Sequence, residues 1–380
     1  MHRILIVHAD ESVRLAIERA LRQSRQALVV QGAASLADGL RRARDLDPHL
    51  VFVDVGVDKG VIASVGGELR SPGRLLVGLY NPLLLRGDWA MLRDLTRAGI
   101  GDFVEVPPSD EEVIGALAAL TSRDQHSPAE GKVIAFYSHQ GGVGTTSLAV
   151  NVGVLLAASQ GGGSVVLCDA AVHFGAAAAY LGLNPVRDLS AFVRDPRGGA
   201  ALTACLTDEP GTGLSLLAAP REPLDGASVT PEDITRLLVD LRRRFKWVIV
   251  DTAPSLDLLN LAVLDSADRV MVVTDAVTPT VVGTSALVRL LEREGFGPER
   301  ISLIVSKFSS FDGNLTERTL RERLGRGVNH LVPYDRNFVI AATKGRPMAG
   351  GRMASAVQIA LSSIVDDILA TTAVGAVAAR

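Results

Sequence analysis

A glycine-rich stretch followed by hydroxyl residues is the part of the chain best suited to bind an anion. Residues 140–147 read QGGVGTTS and follow an apolar run, 133–137, typical of a buried strand. The residues after them carry apolar side chains at helical spacing. Glycines let backbone N–H groups approach a phosphate closely, and a helix N-terminus attracts negative charge. The pattern therefore predicts a strand, a phosphate-binding loop and a helix.

Two aspartates, each closing an apolar run, supply a second chemical signal. Asp169 follows VVLC and Asp251 follows WVIV. A carboxylate at the end of a buried strand, next to a phosphate-binding loop, is suited to hold hydrated Mg²⁺. A helix-capping role is the simpler alternative for Asp251.

The glycine stretch resembles the deviant Walker A motif of the ParA/MinD family, whose pattern is K-G-G-x-G-K-T-T. Every glycine of that pattern is present, whereas Gln140 and Thr145 stand where the family has lysines. The strand that ends in Asp251 resembles the family's Walker B motif. The segment around Asp169 is similar to the second conserved segment of the CpaE/TadZ branch. The resemblance covers roughly residues 132–370.

The resemblance implies ATP or ADP with Mg²⁺ as the cofactor. The residues that it assigns to nucleotide binding are Gln140, Gly141, Gly142, Val143, Gly144, Thr145, Thr146, Ser147, Asp169 and Asp251. Of these, Thr146 and Asp251 would hold the metal. Ala171 replaces the aspartate that orients water in active members, and both lysines are missing, so we expect weak nucleotide binding and little or no hydrolysis. No catalytic residue is assigned. His173 and Lys344 are interpreted as surface side chains rather than as replacements.

Residues 1–122 alternate five apolar runs with helical patterns, which predicts a small doubly wound sheet. The order resembles the receiver domain of response regulators, with Asp10 and Glu11 at the acidic pair and Asp54 at the phosphoacceptor position. Three carboxylates there could hold Mg²⁺. Because Val106 replaces the family's lysine, we favour a pseudo-receiver that serves as an interaction module over a domain phosphorylated at Asp54.

The predicted fold class is α/β, with a flavodoxin/receiver-like doubly wound sheet followed by a MinD/ParA P-loop NTPase fold. The predicted boundaries are 1–122 for the receiver-like domain, 123–131 for a polar linker, 132–372 for the P-loop domain and 373–380 for a tail. The 39 basic and 42 acidic residues give no net positive field for nucleic acid. Two cysteines fit a reducing compartment, and no apolar stretch reaches the roughly 20 residues of a membrane span. These features predict a cytoplasmic protein.

The domain order resembles that of CpaE/TadZ proteins, which position type IVb (Tad/Flp) pilus machinery, and of septum site-determining proteins. It implies a homodimeric localisation factor with protein partners in a pilus-assembly or division machine. The resemblance also implies recruitment to the inner face of the membrane, the pole or the septum. Two alternatives stay open, an active ATP-switched ATPase and a DNA-binding partition protein that uses a local arginine patch such as 242–244. The sequence leaves both the pilus and the septum role open.

Overall fold

The chain forms two compact units, Met1–Pro128 and Ala129–Arg380, in a computed structural model. The residues that the structure describes are 2–24, 28–56, 68–69, 71, 74–81, 95, 98–100, 102–110, 112–117, 131–194, 199–309, 315–348 and 355–377. The proposed linker, 123–131, lies outside the described residues except for Gly131, and most of the helix expected over 89–98 lies outside them as well.

The N-terminal unit contains a five-stranded parallel sheet with the strand order β2-β1-β3-β4-β5. The elements described for it are β1 (His2–Val7), α1 (Glu11–Gln23), β2 (Leu28–Ala33), α2 (Leu36–Leu46), β3 (Leu50–Asp54), β4 (Leu75–Tyr80) and β5 (Asp102–Glu105), with a helical stretch at 112–117. This is the doubly wound order in which strand ends and their loops gather at one edge. The first four residues of β3 are fully buried because helices cover both faces of such a sheet.

The C-terminal unit is built on an eight-stranded sheet of order β13-β12-β11-β6-β10-β7-β9-β8, parallel except for the antiparallel β8–β9 pair. Its strands are β6 (Lys132–Tyr137), β7 (Val165–Asp169), β8 (Leu206–Asp208), β9 (Ser215–Leu217), β10 (Trp247–Asp251), β11 (Arg269–Thr274), β12 (Ile301–Phe308) and β13 (His330–Pro333). Its helices are α3 (Thr145–Gln160), α4 (Ala177–Leu181), α5 (Leu189–Arg194), α6 (Gly199–Cys205), α7 (Pro223–Gly226), α8 (Pro231–Arg244), α9 (Leu258–Ser266), α10 (Thr278–Arg293), α11 (Glu317–Leu324), α12 (Asn337–Thr343) and α13 (Ala356–Val377).

Helix α3 is apolar on all sides because protein surrounds it. It packs against strands β6, β7 and β10 on one side and against α13 on the other. Residues 148–154 of α3 are all buried, including the polar Asn151. A helix without a polar face is stable only in such an interior position. Among the residues described, no helix has the length and apolarity that a membrane span requires.

The last helix, α13, is held on the sheet by a polar cluster around Asp367. Its carboxylate lies 2.8 Å from the Arg269 guanidinium and 3.0 Å from Nε2 of His330, and it accepts a 3.0 Å hydrogen bond from the Ser302 hydroxyl. Burial opposes ionisation here, but the hydrogen bond from His330 and the charge of Arg269 together hold the pKa of Asp367 below its usual value. The cluster therefore joins α13 to strands β11, β12 and β13.

We expect Asp367→Asn to lower the free energy of unfolding by about 2 kcal/mol at pH 7, because Arg269 loses its charged partner in a largely buried position. A lowered pKa stabilises the fold above the ordinary carboxyl pKa of about 4, and this contribution is lost as the pH falls through the lowered value. Urea denaturation from pH 7 to pH 3 should therefore show that the free energies of unfolding of wild type and Asp367→Asn become similar at low pH.

The neighbouring Asp366 provides the control for this measurement. It lies on the same helix and is exposed, so Asp366→Asn should leave the free energy of unfolding within about 0.5 kcal/mol of wild type. Equal stability of wild type and Asp367→Asn at pH 7 would contradict the role given to the cluster.

Candidate nucleotide site

The loop between β6 and α3 has a backbone that only glycine adopts easily at two positions. Gly142 has a φ of 82° and Gly144 a φ of 102°, both in the left-handed region where a side chain is strained. Gly144 precedes the first residue of α3, and no side chain caps the helix there. The first N–H groups of α3 are therefore not taken up by a side-chain cap, as an anion-binding helix N-terminus requires.

The other residues predicted for the loop differ in their exposure to solvent. Gln140, Gly141 and Gly142 are exposed, whereas the side chain of Val143 is buried beneath the loop. The three hydroxyl residues Thr145, Thr146 and Ser147 are half-buried in the first turn of α3. The loop thus presents backbone N–H groups and hydroxyls without a lysine or arginine anywhere in 138–147.

The two aspartates predicted for the site are direct neighbours on adjacent strands. Strands β7 and β10 are parallel, and Asp169 is the register partner of Asp251. The carboxylate of Asp169 accepts backbone N–H bonds of 3.0 Å from Ala177 and 3.2 Å from Ala171. Asp251 is fully buried, and neither of its carboxylate oxygens has a hydrogen-bond partner within the described part of the chain.

Burial and mutual repulsion make this carboxylate pair unusually hard to ionise. Burial raises the pKa of Asp169 to about 6 against the backbone bonds that oppose the rise. Burial also raises the pKa of Asp251 well above its usual value, and the Asp169 charge adds to that effect. The Thr146 hydroxyl is near enough to Asp251 to oppose the rise, although its geometry falls short of a hydrogen bond.

An unpartnered buried carboxylate next to a second one is suited to a cation, because a positive charge relieves both burial and repulsion. Oxygen ligands such as the Asp251 carboxylate and the Thr146 hydroxyl fit Mg²⁺. No group of three or more His, Cys, Asp or Glu side chains with metal-binding geometry occurs among the described residues. The donor set therefore fits a metal that takes its remaining ligands from water and phosphate.

Three residues that contact the loop region were not identified as site residues from the sequence. Ser306 and Lys307, at the end of β12, donate hydrogen bonds to the Val143 and Gly142 carbonyls of the loop. The resemblance to the ParA/MinD family aligns this pair with positions that contact the nucleotide base, and not with the loop. His139 packs against α10, where a Cβ on Gly283 would lie 2.1 Å from its Nε2. These contacts join segments far apart in the chain, so local sequence patterns do not predict them.

The two side chains considered as replacements for missing groups lie at the surface. His173 is exposed, and its Nδ1 lies 3.1 Å from the Pro223 carbonyl oxygen. Lys344 is exposed at the end of α12, and its ammonium makes no hydrogen bond or ion pair with the residues that the structure describes. Their interpretation as surface side chains agrees with this exposure.

In the N-terminal unit, the expected set of three carboxylates does not form. The carboxylate of Asp10 instead caps α1, accepting 2.8 Å bonds from both the N–H and the hydroxyl of Ser12. Glu11 is exposed in the first turn of α1. The expectation of a Mg²⁺ site at Asp10, Glu11 and Asp54 is therefore wrong for the described residues. The physical reason is the tight β1–α1 turn, which uses Asp10 as a helix cap.

A histidine faces Asp54 instead. Nε2 of His8 lies 3.7 Å from the Asp54 carboxylate, whose other oxygen accepts a 2.9 Å bond from the Gly56 N–H. Nδ1 of His8 accepts a 3.0 Å bond from the Asp10 N–H, so in the neutral ring the proton is on Nε2, the nitrogen nearer the carboxylate. The strand edge thus pairs Asp54 with an imidazole.

Comparison with known proteins gives relatives for the C-terminal unit. No protein-family model matches the chain. The septum site-determining protein MinD of Thermotoga maritima is 24% identical over 223 residues, which are 58% of this chain and 81% of that protein. The Bacillus subtilis septum site-determining protein MinD is 27% identical over 225 residues, 58% of this chain and 82% of that protein.

Solved structures share the fold of the same part of the chain. A ParA family ATPase from Chlorobium tepidum superposes with a TM-score of 0.57 at 21% identity, covering 63% of this chain and 98% of that one. The Pyrococcus furiosus cell division ATPase MinD gives 0.56 at 17% identity with the same coverage. MinD of Pyrococcus horikoshii, solved with Mg-ADP, gives 0.56 at 14% identity, covering 63% and 96%. Together with the glycine loop and the buried strand-end aspartates, these relatives show that the C-terminal part of the chain belongs to the ParA/MinD family of P-loop ATPases.

Proposed function

We propose that this protein is a MinD/ParA-like localisation factor that binds ATP or ADP with Mg²⁺ weakly and hydrolyses ATP little or not at all. The observation that carries the proposal is the glycine loop and the first turn of α3 next to the buried, unpartnered Asp251 carboxylate. This combination suits a phosphate and Mg²⁺. The absence of lysine and arginine from 138–147 removes the charge that would make binding tight.

Thr146 and Asp251 are the residues that would hold the metal, with nucleotide phosphates and water as its other ligands. When bound, Mg²⁺ neutralises phosphate charge and orients the nucleotide. Asp169 would contribute its charge to the site rather than a free ligand atom, because backbone N–H groups already occupy both of its oxygens.

Nothing at the site favours hydrolysis. Ala171 carries a methyl group, which cannot orient or deprotonate water. His173 is exposed and lies against the Pro223 carbonyl. Gln140 is exposed and brings no charge to the place where the family has its signature lysine. A charged group of that kind contributes about 10³–10⁵-fold in rate to phosphoryl transfer. A nucleotide-responsive assembly factor therefore fits these residues better than an enzyme with rapid turnover.

We propose that the N-terminal unit is a pseudo-receiver that binds a protein partner. Its parallel strand order is typical of receiver-like folds, and Asp54 faces His8 instead of further carboxylates. Without a Mg²⁺ site, the phosphoryl group of a small donor would lack the cation that offsets its charge. Such a unit would then act through its surface, as a protein-binding module, rather than through phosphoryl chemistry.

The cellular role that we propose is positioning a Tad/Flp pilus-assembly or cell-division machine. The order of a receiver-like unit followed by a MinD-like domain supports the CpaE/TadZ reading. The septum site-determining relatives support the division reading. A structure of the same fold is a MinC:MinD cell division protein complex from Aquifex aeolicus, with a TM-score of 0.53, which favours protein partners. We further propose a homodimer in the cytoplasm, recruited to the inner face of the membrane, the pole or the septum.

The alternative of DNA binding receives little support from the arginine run 242–244. Arg242 lies 2.7 Å from the Asp268 carboxylate and also donates to the Ser266 carbonyl. Arg243 lies 3.5 Å from Asp240 on the same helix. Guanidinium groups that already pair with carboxylates attract DNA phosphates less strongly. This run therefore stabilises α8 and its surroundings in our reading.

We expect Asp251→Asn to raise the free energy of unfolding of the metal-free protein at pH 8, because it removes a charge that burial and the neighbouring Asp169 disfavour. A carboxyl whose folded-state pKa is raised stabilises the fold below its ordinary pKa of about 4 and loses that contribution as the pH rises through the raised value. Urea denaturation in EDTA at pH 5 and pH 8 would measure this difference. The exposed Asp366→Asn is the matched control, and a destabilised Asp251→Asn protein at pH 8 would contradict the electrostatic account.

We expect Thr145→Lys, which restores a loop lysine, to tighten Mg-ATP binding about 10–100-fold, since a charge-assisted hydrogen bond contributes roughly 1.5–3 kcal/mol. Isothermal titration of wild type and variant with ATP and ADP would show it, and Asp251→Ala should abolish binding in both. Ser159→Lys adds the same charge at the exposed far end of α3 and should leave Kd unchanged. Equal Kd values for wild type and Thr145→Lys would count against a phosphate site in the loop.

We expect no phosphoprotein after incubation with acetyl phosphate and Mg²⁺, because the described residues around Asp54 form no carboxylate cluster to hold the metal. Intact-protein mass spectrometry of wild type and Asp54→Asn would test this. A mass increase of one phosphoryl group in the wild type that is lost in Asp54→Asn would overturn the pseudo-receiver proposal.

A further inference from the structure

The end of strand β12 departs from regular geometry where it meets the phosphate-binding loop. The register with β13 shifts between Val305 and Phe308, and Lys307 has a φ of 52°. A left-handed backbone costs a residue with a side chain about 1–2 kcal/mol, so the surrounding structure must compensate for it. Ser306 and Lys307 both contact the loop from this irregular segment.

Two donors from this bulge bind two consecutive carbonyls of the loop. The Ser306 hydroxyl donates to the Val143 carbonyl, and the Lys307 ammonium donates to the Gly142 carbonyl. The Gly142 carbonyl belongs to the same peptide group as the Val143 N–H. A cation on the carbonyl of a peptide polarises it and makes its N–H a stronger donor. Lys307 therefore acts on the backbone that would receive a phosphate.

The charge of Lys307 is not neutralised by a carboxylate among the residues that the structure describes. The other lysines described are placed differently. Lys132 pairs with Asp268 at 3.0 Å, and Lys246 bonds Gln160 at the opposite end of α3. Lys344 is exposed with no contact to the loop in the described part. Lys307 is thus the described lysine whose ammonium contacts the loop.

We infer that Lys307 is a positioning residue that restores, from strand β12, part of the positive charge that the loop itself lacks. Its ammonium fixes the Gly142–Val143 peptide and provides a positive charge, unneutralised by any described residue, at the loop for the phosphates of a nucleoside di- or triphosphate. This inference rests on the proposed nucleotide binding of the same loop. It differs from a purely structural role because its effect depends on the charge of the ligand.

The test compares Lys307→Met, Lys307→Gln and Lys307→Arg with wild type by isothermal titration against Mg-ATP, Mg-ADP and adenosine. We expect Lys307→Met and Lys307→Gln to weaken ATP binding about tenfold, ADP binding less and adenosine binding not at all. Lys307→Arg should retain most of the affinity, because it keeps the charge. The loss should shrink between 50 mM and 500 mM NaCl, since salt screens an exposed charge.

Lys246→Met is the matched control, because it removes the same charge from the opposite edge of the sheet and should leave all three affinities unchanged. An equal loss for adenosine and ATP, or a loss that Lys307→Arg does not rescue, would overturn the electrostatic role. If the wild type binds Mg-ATP and Lys307→Met binds it with the same Kd, this inference alone is overturned. A wild-type protein that binds none of the three ligands would overturn the proposed function and this inference together.

Discussion

The pair of buried carboxylates at the ends of β7 and β10 is the constraint on which the site depends. Asp169 satisfies both of its oxygens with backbone N–H groups, and Asp251 satisfies neither with the described residues. Burying an unpartnered carboxyl group next to a second carboxyl group lowers the stability of the fold. Such a destabilising arrangement is typical of functional sites, where a ligand supplies the missing partner. The chain therefore has the acidic half of the nucleotide site that we propose.

The positive charge near the proposed site comes from a neighbouring strand and not from the loop itself. The loop retains the glycine conformations at Gly142 and Gly144 that an anion cradle needs, but it carries no cation of its own. The structure brings Ser306 and Lys307 to the outer, carbonyl side of that loop. A loop whose carbonyls are bound by side chains of another strand can still bind an anion through its backbone N–H groups. It lacks, however, the direct contact between a lysine and the phosphate on which efficient phosphoryl transfer depends. This division between binding and chemistry favours an assembly role over turnover.

The two units show the same architecture with opposite outcomes at the strand ends. In both, parallel strands deliver polar residues to one edge of a sheet. In the C-terminal unit, the register of β7 and β10 brings two carboxylates together. In the N-terminal unit, Asp10 caps α1 in the turn after β1, and His8 is the residue that faces Asp54. The geometry of a single turn thus bears on whether carboxylates gather at a strand edge.

The sequence by itself determined the alternation of strands and helices, the glycine loop, and the two aspartates at strand ends. These follow from apolar periodicity, from the backbone freedom of glycine and from the common direction of parallel strands, all of which are local properties. Only the tertiary structure decided that the Asp251 carboxylate has no hydrogen-bond partner among the described residues, that Asp10 is a cap and that Lys307 contacts the loop. Each of these depends on packing between distant segments or on the geometry of one turn, and local patterns carry no information about either.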